Sequence, residues 1–119
     1  MIKLEIDGER HEVEKGQRLV LAIKDAGVNI GHRCGGNGKC TTCRVTITKG
    51  EPERMTKVEQ EVLSQNGLLG EVRLSCQITC DNDISVEAGI LLENEPKWND
   101  TGPMPEKNIT PEPEWVTYP

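Results

Sequence analysis

Cys34, Cys40, Cys43 and Cys76 are spaced as a ligand set: five residues separate the first pair, two the next, and 32 residues precede the fourth. Three close thiols and one remote one suit a loop wrapped round an inorganic centre and pinned to a distant strand. Iron takes soft thiolate ligands, and a 2Fe-2S core needs two at each iron, so four Cys complete it with no other residue type. The intervening GGNGK and TT are built for the same object. Gly35, Gly36 and Gly38 admit backbone angles closed to other residues and bring amide N–H groups close to the sulfurs, while Thr41 and Thr42 add hydroxyl donors. Such donors stabilise an anionic centre and tune its potential.

Other chemistries fit less well. Four thiolates also satisfy zinc, but structural zinc sites usually pair their ligands as two short Cys-x-x-Cys-like knuckles, and only Cys40 and Cys43 form one. A Rieske centre needs two His ligands; the only two His are His11, on a predicted strand, and His32, just before Cys34. His32 is expected to face solvent. Cys80 is the fifth cysteine, read as a free thiol on the turn before Asp81-Asn82-Asp83. The sharper reading, a substitute ligand or redox-sensitive thiol, rests on the short Cys76-x3-Cys80 spacing. Arg33, Lys39 and Arg44 flank the loop, and cations there would favour the reduced, more negative state.

These residues need a scaffold, and hydrophobic periodicity supplies one. Ile2, Leu4 and Ile6 alternate with charges as a half-buried strand, and Asp7-Gly8 is a hairpin signal leading to a second strand at 11–14. Leu19, Val20, Ala22, Ile23 and Ala26 follow helical spacing up to Gly27. Val45 and Ile47 mark another strand. A short helix is predicted over 56–64, with Thr56 as N-cap and Glu59 as its capping-box partner. Val72, Leu74, Cys76 and Ile78 alternate as a strand carrying the fourth cysteine, and Ile84 and Val86 make the last one. The order β-β-α-β-α-β-β suits an α+β domain with helices over one mixed sheet.

At 119 residues the chain holds one domain's worth of core. Residues 1–95 contain no aromatic of the Phe, Trp, Tyr set, whereas 96–119 hold Trp98, Trp115, Tyr118 and six of the seven prolines. The expected division is a body at 1–95 and a Pro/Trp-containing tail at 96–119, the tail either folding back to supply its rings or extending to a partner or a second copy. No apolar run reads as a signal peptide or membrane span, so a cytoplasmic protein is expected, where cysteines serve metals or redox chemistry rather than disulfides. A net charge of −6 argues against nucleic acid as a partner. Glu51, Glu53, Glu59, Glu61 and Glu71 are expected to form an acidic face suited to weak, salt-sensitive docking.

The run GHRCGGNGKCTTCRVTITKGEPERMTKVEQEVL, followed by VRLSCQ, resembles the bacterial 2Fe-2S ferredoxin family, in particular its glycine-rich branch with CGGxGxC-x-x-CRV and an RLxCQ strand. The resemblance spans residues 1 to about 90. It implies a β-grasp fold with helices packed on one face of the sheet. It also implies a 2Fe-2S cluster on Cys34, Cys40, Cys43 and Cys76, and one-electron transfer between a reductase and an acceptor enzyme, in a monomer or homodimer that is no enzyme itself. A redox sensor or regulatory subunit is the alternative, and a zinc-structured interaction module the lesser one. Two features depart from pattern: the first gap holds five residues rather than the four of plant-type ferredoxins, and Thr41 stands where the branch often has Gly.

Overall fold

The structure, a computed structural model, describes residues 1–32, 35, 41–91 and 101–118. Ile2, Leu4 and Ile6 are buried and define β1 (Ile2–Ile6). Asp7 and Gly8, at φ 48° and 91°, form the two-residue turn whose twist matches the strands it joins, leading into β2 (Glu9–Val13) in register Ile2↔Val13 to Ile6↔Glu9. Helix α1 (Leu19–Asp25) buries Leu19, Val20, Ala22 and Ile23 and closes as predicted, with the Gly27 N–H on the Lys24 carbonyl at 2.9 Å. After the cysteine loop come β3 (Arg44–Lys49), β4 (Arg54–Thr56), α2 (Lys57–Gln65), β5 (Arg73–Leu74), a 3-10 turn (Ser75–Gln77), β6 (Ile84–Ala88) and β7 (Trp115–Thr117).

Five strands form one mixed sheet in the order β2-β1-β6-β3-β5. The pairing of β1 with β6 is parallel and the others are antiparallel. A β3–β6 irregularity falls between Ile47 and Lys49. Just beyond it Gly50, at φ 75°, passes so close to Asp83 that a Cβ would collide with the Asp83 carbonyl. The core is aliphatic: Leu4, Leu19, Ile23, Val45, Leu63 and Leu74 are all fully enclosed.

Two expectations change. The predicted strand over 72–78 shrinks to two residues and a 3-10 turn. Alternation presumes one solvent-facing side, but Arg73, Leu74, Ser75, Cys76, Gln77 and Ile78 are all buried, covered on both sides. The second change is a separate two-stranded sheet, β4 with β7, pairing Arg54↔Thr117, Met55↔Val116 and Thr56↔Trp115. Lys57 N–H to the Glu114 carbonyl and Tyr118 N–H to the Glu53 carbonyl, both 2.8 Å, extend it at either end. The end of the chain thus folds onto the body through main-chain pairing.

Of its described rings, Tyr118 is half-buried and packs against the aliphatic core, whereas Trp115 remains 37% exposed. Each also lies over a guanidinium, Arg54 at 3.7 Å from the Trp115 centroid and Arg73 at 4.4 Å from that of Tyr118. The buried side chains of this segment are Thr101, Pro105 and Ile109; Trp98 lies outside the described residues. Among the described residues no helix is long and apolar enough to cross a membrane.

Candidate metal centre

Two of the four predicted ligands, Cys43 and Cys76, fall within the described residues, and the sheet brings their segments together. Cys43 immediately precedes β3, Cys76 sits in the 3-10 turn that follows β5, and β3 and β5 pair Arg44↔Leu74 and Val45↔Arg73. The stitch continues past the ladder. The Cys43 carbonyl accepts from the Ser75 N–H at 3.1 Å and from the Ser75 hydroxyl at 2.7 Å. Both cysteines are buried, 2% and 0% exposed. Cys34 and Cys40, with Arg33 and Lys39, lie outside the described residues.

The loop's two described ends are shaped to turn sharply. Gly35, at φ 72°, returns its N–H to the His32 carbonyl at 2.8 Å. Thr41 adopts φ 58°, a left-handed conformation costly for a β-branched residue and natural for glycine. This accounts for the glycine expected there by resemblance. Arg44 clamps the strained residue, its Nε donating to the Thr41 carbonyl at 3.0 Å and its terminal nitrogen to the Thr41 hydroxyl at 2.7 Å. Arg44 therefore braces the loop exit and is not simply a charge beside it.

The donor chemistry around Cys76 fits an anionic sulfur bound to metal. Gln77 Nε2 donates toward Cys76 Sγ at 3.6 Å, placing an amide N–H on a buried sulfur. Arg18, 1% exposed, donates from Nε to the Cys76 carbonyl at 2.6 Å and from a terminal nitrogen to the carbonyls of Glu106 and Asn108 at 2.9 and 3.2 Å. A buried cation thus ties the fourth cysteine to the chain end. Neither Arg18 nor Gln77 was singled out from the sequence. Gln77 was findable as the neighbour of a ligand, but nothing local marks Arg18, whose partners lie 58 to 90 residues away.

Three sequence expectations are corrected. His32 is not solvent-facing: it is 1% exposed, its N–H bonds the Thr101 carbonyl at 2.8 Å, and its Nε2 meets the Thr101 hydroxyl at 2.9 Å. Thr56 caps α2 as predicted, accepting from Glu59 N–H at 3.1 Å, but the Glu59 carboxylate makes no capping box and adds nothing to an acidic face. It is fully buried, accepting from Arg73 at 2.8 and 3.3 Å and from the Leu74 N–H at 2.8 Å. Burial pushes its carboxyl up, against the opposing pull of Arg73 and the Leu74 N–H. Glu51, Glu53, Glu61 and Glu71 do remain exposed.

The third correction is Cys80, which is enclosed, at 1% exposure, rather than presented on a turn. Its thiol is pushed up from 9.0 to about 12, first by burial and then by the charge of Asp81, which disfavours the thiolate that a reactive or redox-sensitive cysteine needs. The folded chain keeps a proton that the unfolded chain loses above 9.0. Stability is therefore present in full below that pH and declines as pH rises toward 12, by about 1.4 kcal/mol per pH unit. Denaturant unfolding across that range should show the decline in the native chain and a shallower one in Cys80→Ser. An equal slope in both would place the alkaline sensitivity elsewhere.

A sequence profile described as a 2Fe-2S iron-sulfur cluster binding domain matches residues 4–81. The chain is 32% identical over 89 residues to a subunit of the Na(+)-translocating NADH-quinone reductase of Chlamydia pneumoniae, covering 75% of this chain and 20% of that one. It is 29% identical over 101 residues to the corresponding subunit of Methylococcus capsulatus, covering 84% and 25%. The chain thus spans about a fifth to a quarter of these curated relatives. Among solved structures, an ISC-like 2Fe-2S ferredoxin from Pseudomonas putida aligns with a TM-score of 0.63 and 25% identity, over 75% of this chain and 93% of that one. A ferredoxin from Rhodopseudomonas palustris aligns at 0.56 and 25%, over 74% and 94%.

Proposed function

Since the chain belongs to the family of 2Fe-2S iron-sulfur cluster binding domains, with the β-grasp fold of its ferredoxin neighbours, we propose that Cys34, Cys40, Cys43 and Cys76 hold its cluster and that it passes single electrons from a reductase to an acceptor enzyme. The observation that supports this most is the stitched pair of cysteine segments, with Cys43 and Cys76 buried and an amide N–H directed at the Cys76 sulfur. When bound, the cluster supplies a one-electron couple. The residues of this chain would hold the sulfurs, keep Cys43 and Cys76 out of water and set how readily negative charge is accepted.

Docking to both partners through exposed Glu51, Glu53, Glu61 and Glu71 accords with the net charge of −6, and calls for weak, salt-dependent encounters. A cytoplasmic location belongs to the same reading, as does the chain's having no catalysis of its own. Residues 1–95 serve as the cluster domain, and 96–119 as a tail whose described part, 101–118, folds back on it.

Anaerobic redox titration of the freshly purified protein, followed by absorbance and electron paramagnetic resonance, tests the reading. The expected result is iron and sulfide in equal amounts and a paramagnetic signal appearing on one-electron reduction. Colourless protein carrying zinc would overturn it. Reduction by a flavin-dependent reductase and reoxidation by an acceptor enzyme then separates a carrier from a sensor.

A further inference from the structure

Resting on the reading that Cys76 is a cluster ligand, we propose that Gln77 is a positioning residue that sets the reduction potential through the Cys76 sulfur, and that the C-terminal segment 101–118 is the part of the chain that orients it. This segment lies beyond the residues 4–81 matched by the family profile.

The hydrogen bonds determine which way the Gln77 amide points. The Thr56 hydroxyl accepts from Glu59 N–H at 3.1 Å, so its own hydrogen is available for Gln77 Oε1 at 2.8 Å. The Thr110 carbonyl, an acceptor only, lies 2.9 Å from Gln77 Nε2. Only one orientation of the amide satisfies both neighbours, and in that orientation an N–H faces Cys76 Sγ at 3.6 Å. Rotated by half a turn, the amide would face Thr110 with an oxygen, and nitrogen would meet Thr56. The Thr110 carbonyl therefore decides that the sulfur sees a donor. A donor favours the more negative, reduced state and raises the potential.

Thr110 is itself held in place. Arg18 grips the Glu106 and Asn108 carbonyls on one side, and Lys57 N–H grips the Glu114 carbonyl on the other. Between them Ile109 is 7% exposed, seating the segment by its side chain. Thr101 on His32 anchors the start of the segment beside the cysteine loop. Gln77 is itself 1% exposed, so its amide is held by these protein groups away from bulk water.

The test is midpoint potential, read by titration in full-length variants. Gln77→Leu should keep the cluster signal and lower the potential, with about a tenfold fall in the reduced-to-oxidised ratio at a fixed potential, which is about 59 mV for one electron. Ile109→Ser, which removes none of the hydrogen-bonding side chains at Gln77, should lower the potential in the same direction. Combined with Q77L it should add nothing further, since its effect passes through the amide.

An unchanged potential in Q77L with the cluster signal retained overturns the proposal, and additive shifts overturn the part assigned to 101–118. Should Q77L purify without iron, I109S alone decides, an unchanged potential counting against the proposal. Cys76→Ser separates this from the ligand reading. Full iron content in C76S would sink that reading itself, whereas loss of iron in C76S beside an unmoved Q77L sinks only the inference about Gln77.

Discussion

Cys76→Ser should purify with little iron or sulfide, whereas Cys80→Ser should carry as much as the native protein. Both residues are buried, at 0% and 1% exposure, so burial does not distinguish them. What does is where their backbones are tied. Cys76 lies in the turn stitched to Cys43 through Ser75, and its carbonyl is held by Arg18. Cys80 is tied instead to the residues leading into α1, its N–H on the Gln17 carbonyl at 2.8 Å and its carbonyl on the Gly16 N–H at 2.7 Å. It lines a cleft with Gly50, Glu53, Arg54 and Asp81, none of them from the cysteine loop. Serine is a hard, weakly acidic donor where iron prefers soft thiolate, so C76S loses one of the four proposed bonds to the cluster. Cys80, tied to Gln17 and Gly16 rather than to the Cys43 segment, is proposed to form no such bond and should give way to serine at a modest packing cost. Iron and acid-labile sulfide assays decide, and equal losses in the two variants would reassign the fourth ligand.

The second large effect belongs to Arg73, which carries no proposed role at the cluster. Its guanidinium is 1% exposed and donates to Glu59 at 2.8 and 3.3 Å, to the Arg54 carbonyl at 3.0 Å and to the Pro52 carbonyl at 3.3 Å. Glu51 stands at 3.5 Å, and the ring of Tyr118 covers the group. One side chain thus joins α2, the approach to β4 and the end of the chain. Arg73→Met removes the partner of a fully buried carboxylate and should cost about 3 to 5 kcal/mol.

The arithmetic is asymmetric. Because the penalty comes mainly from stranding Glu59, the double variant E59M/R73M should be much less destabilised than the sum of its single changes. Urea unfolding of all four proteins provides the cycle. Additive losses would mean that the pair contributes as two independent contacts. Arg73→Lys should not rescue, since a single ammonium does not reproduce a fork that meets two carboxylate oxygens and two carbonyls.

How much of this was legible beforehand follows from the range over which each feature is determined. The β1–β2 hairpin was readable because Asp7-Gly8 and the Ile2-Leu4-Ile6 alternation act within a dozen residues. The Thr56 cap was readable because its partner is three residues away. The strand over 72–78 was misread because the alternation is real but both of its faces are covered, one of them by a segment some 30 residues on, as Gln77 with Thr110 illustrates. The β4–β7 pair escaped notice because three residues are too few for a period to register.

The same division applies to the site. The sequence by itself pointed to the chemistry: thiols at fixed spacing around glycines read as a metal-ligand set, and the spacing, with a single Cys-x-x-Cys knuckle, together with the family resemblance favours a 2Fe-2S centre over zinc. Tertiary structure alone decided how polar residues serve that centre. Glu59 and His32 look like surface groups in sequence, and Arg18 like any exposed cation. Burial converts all three into structural ties, because a polar atom withdrawn from water must find its partner wherever the chain brings one. Cys80 is set apart from Cys76 for a related reason. Two cysteines four positions apart share a neighbourhood in sequence, but only one of them is carried to the stitched edge of β3 and β5.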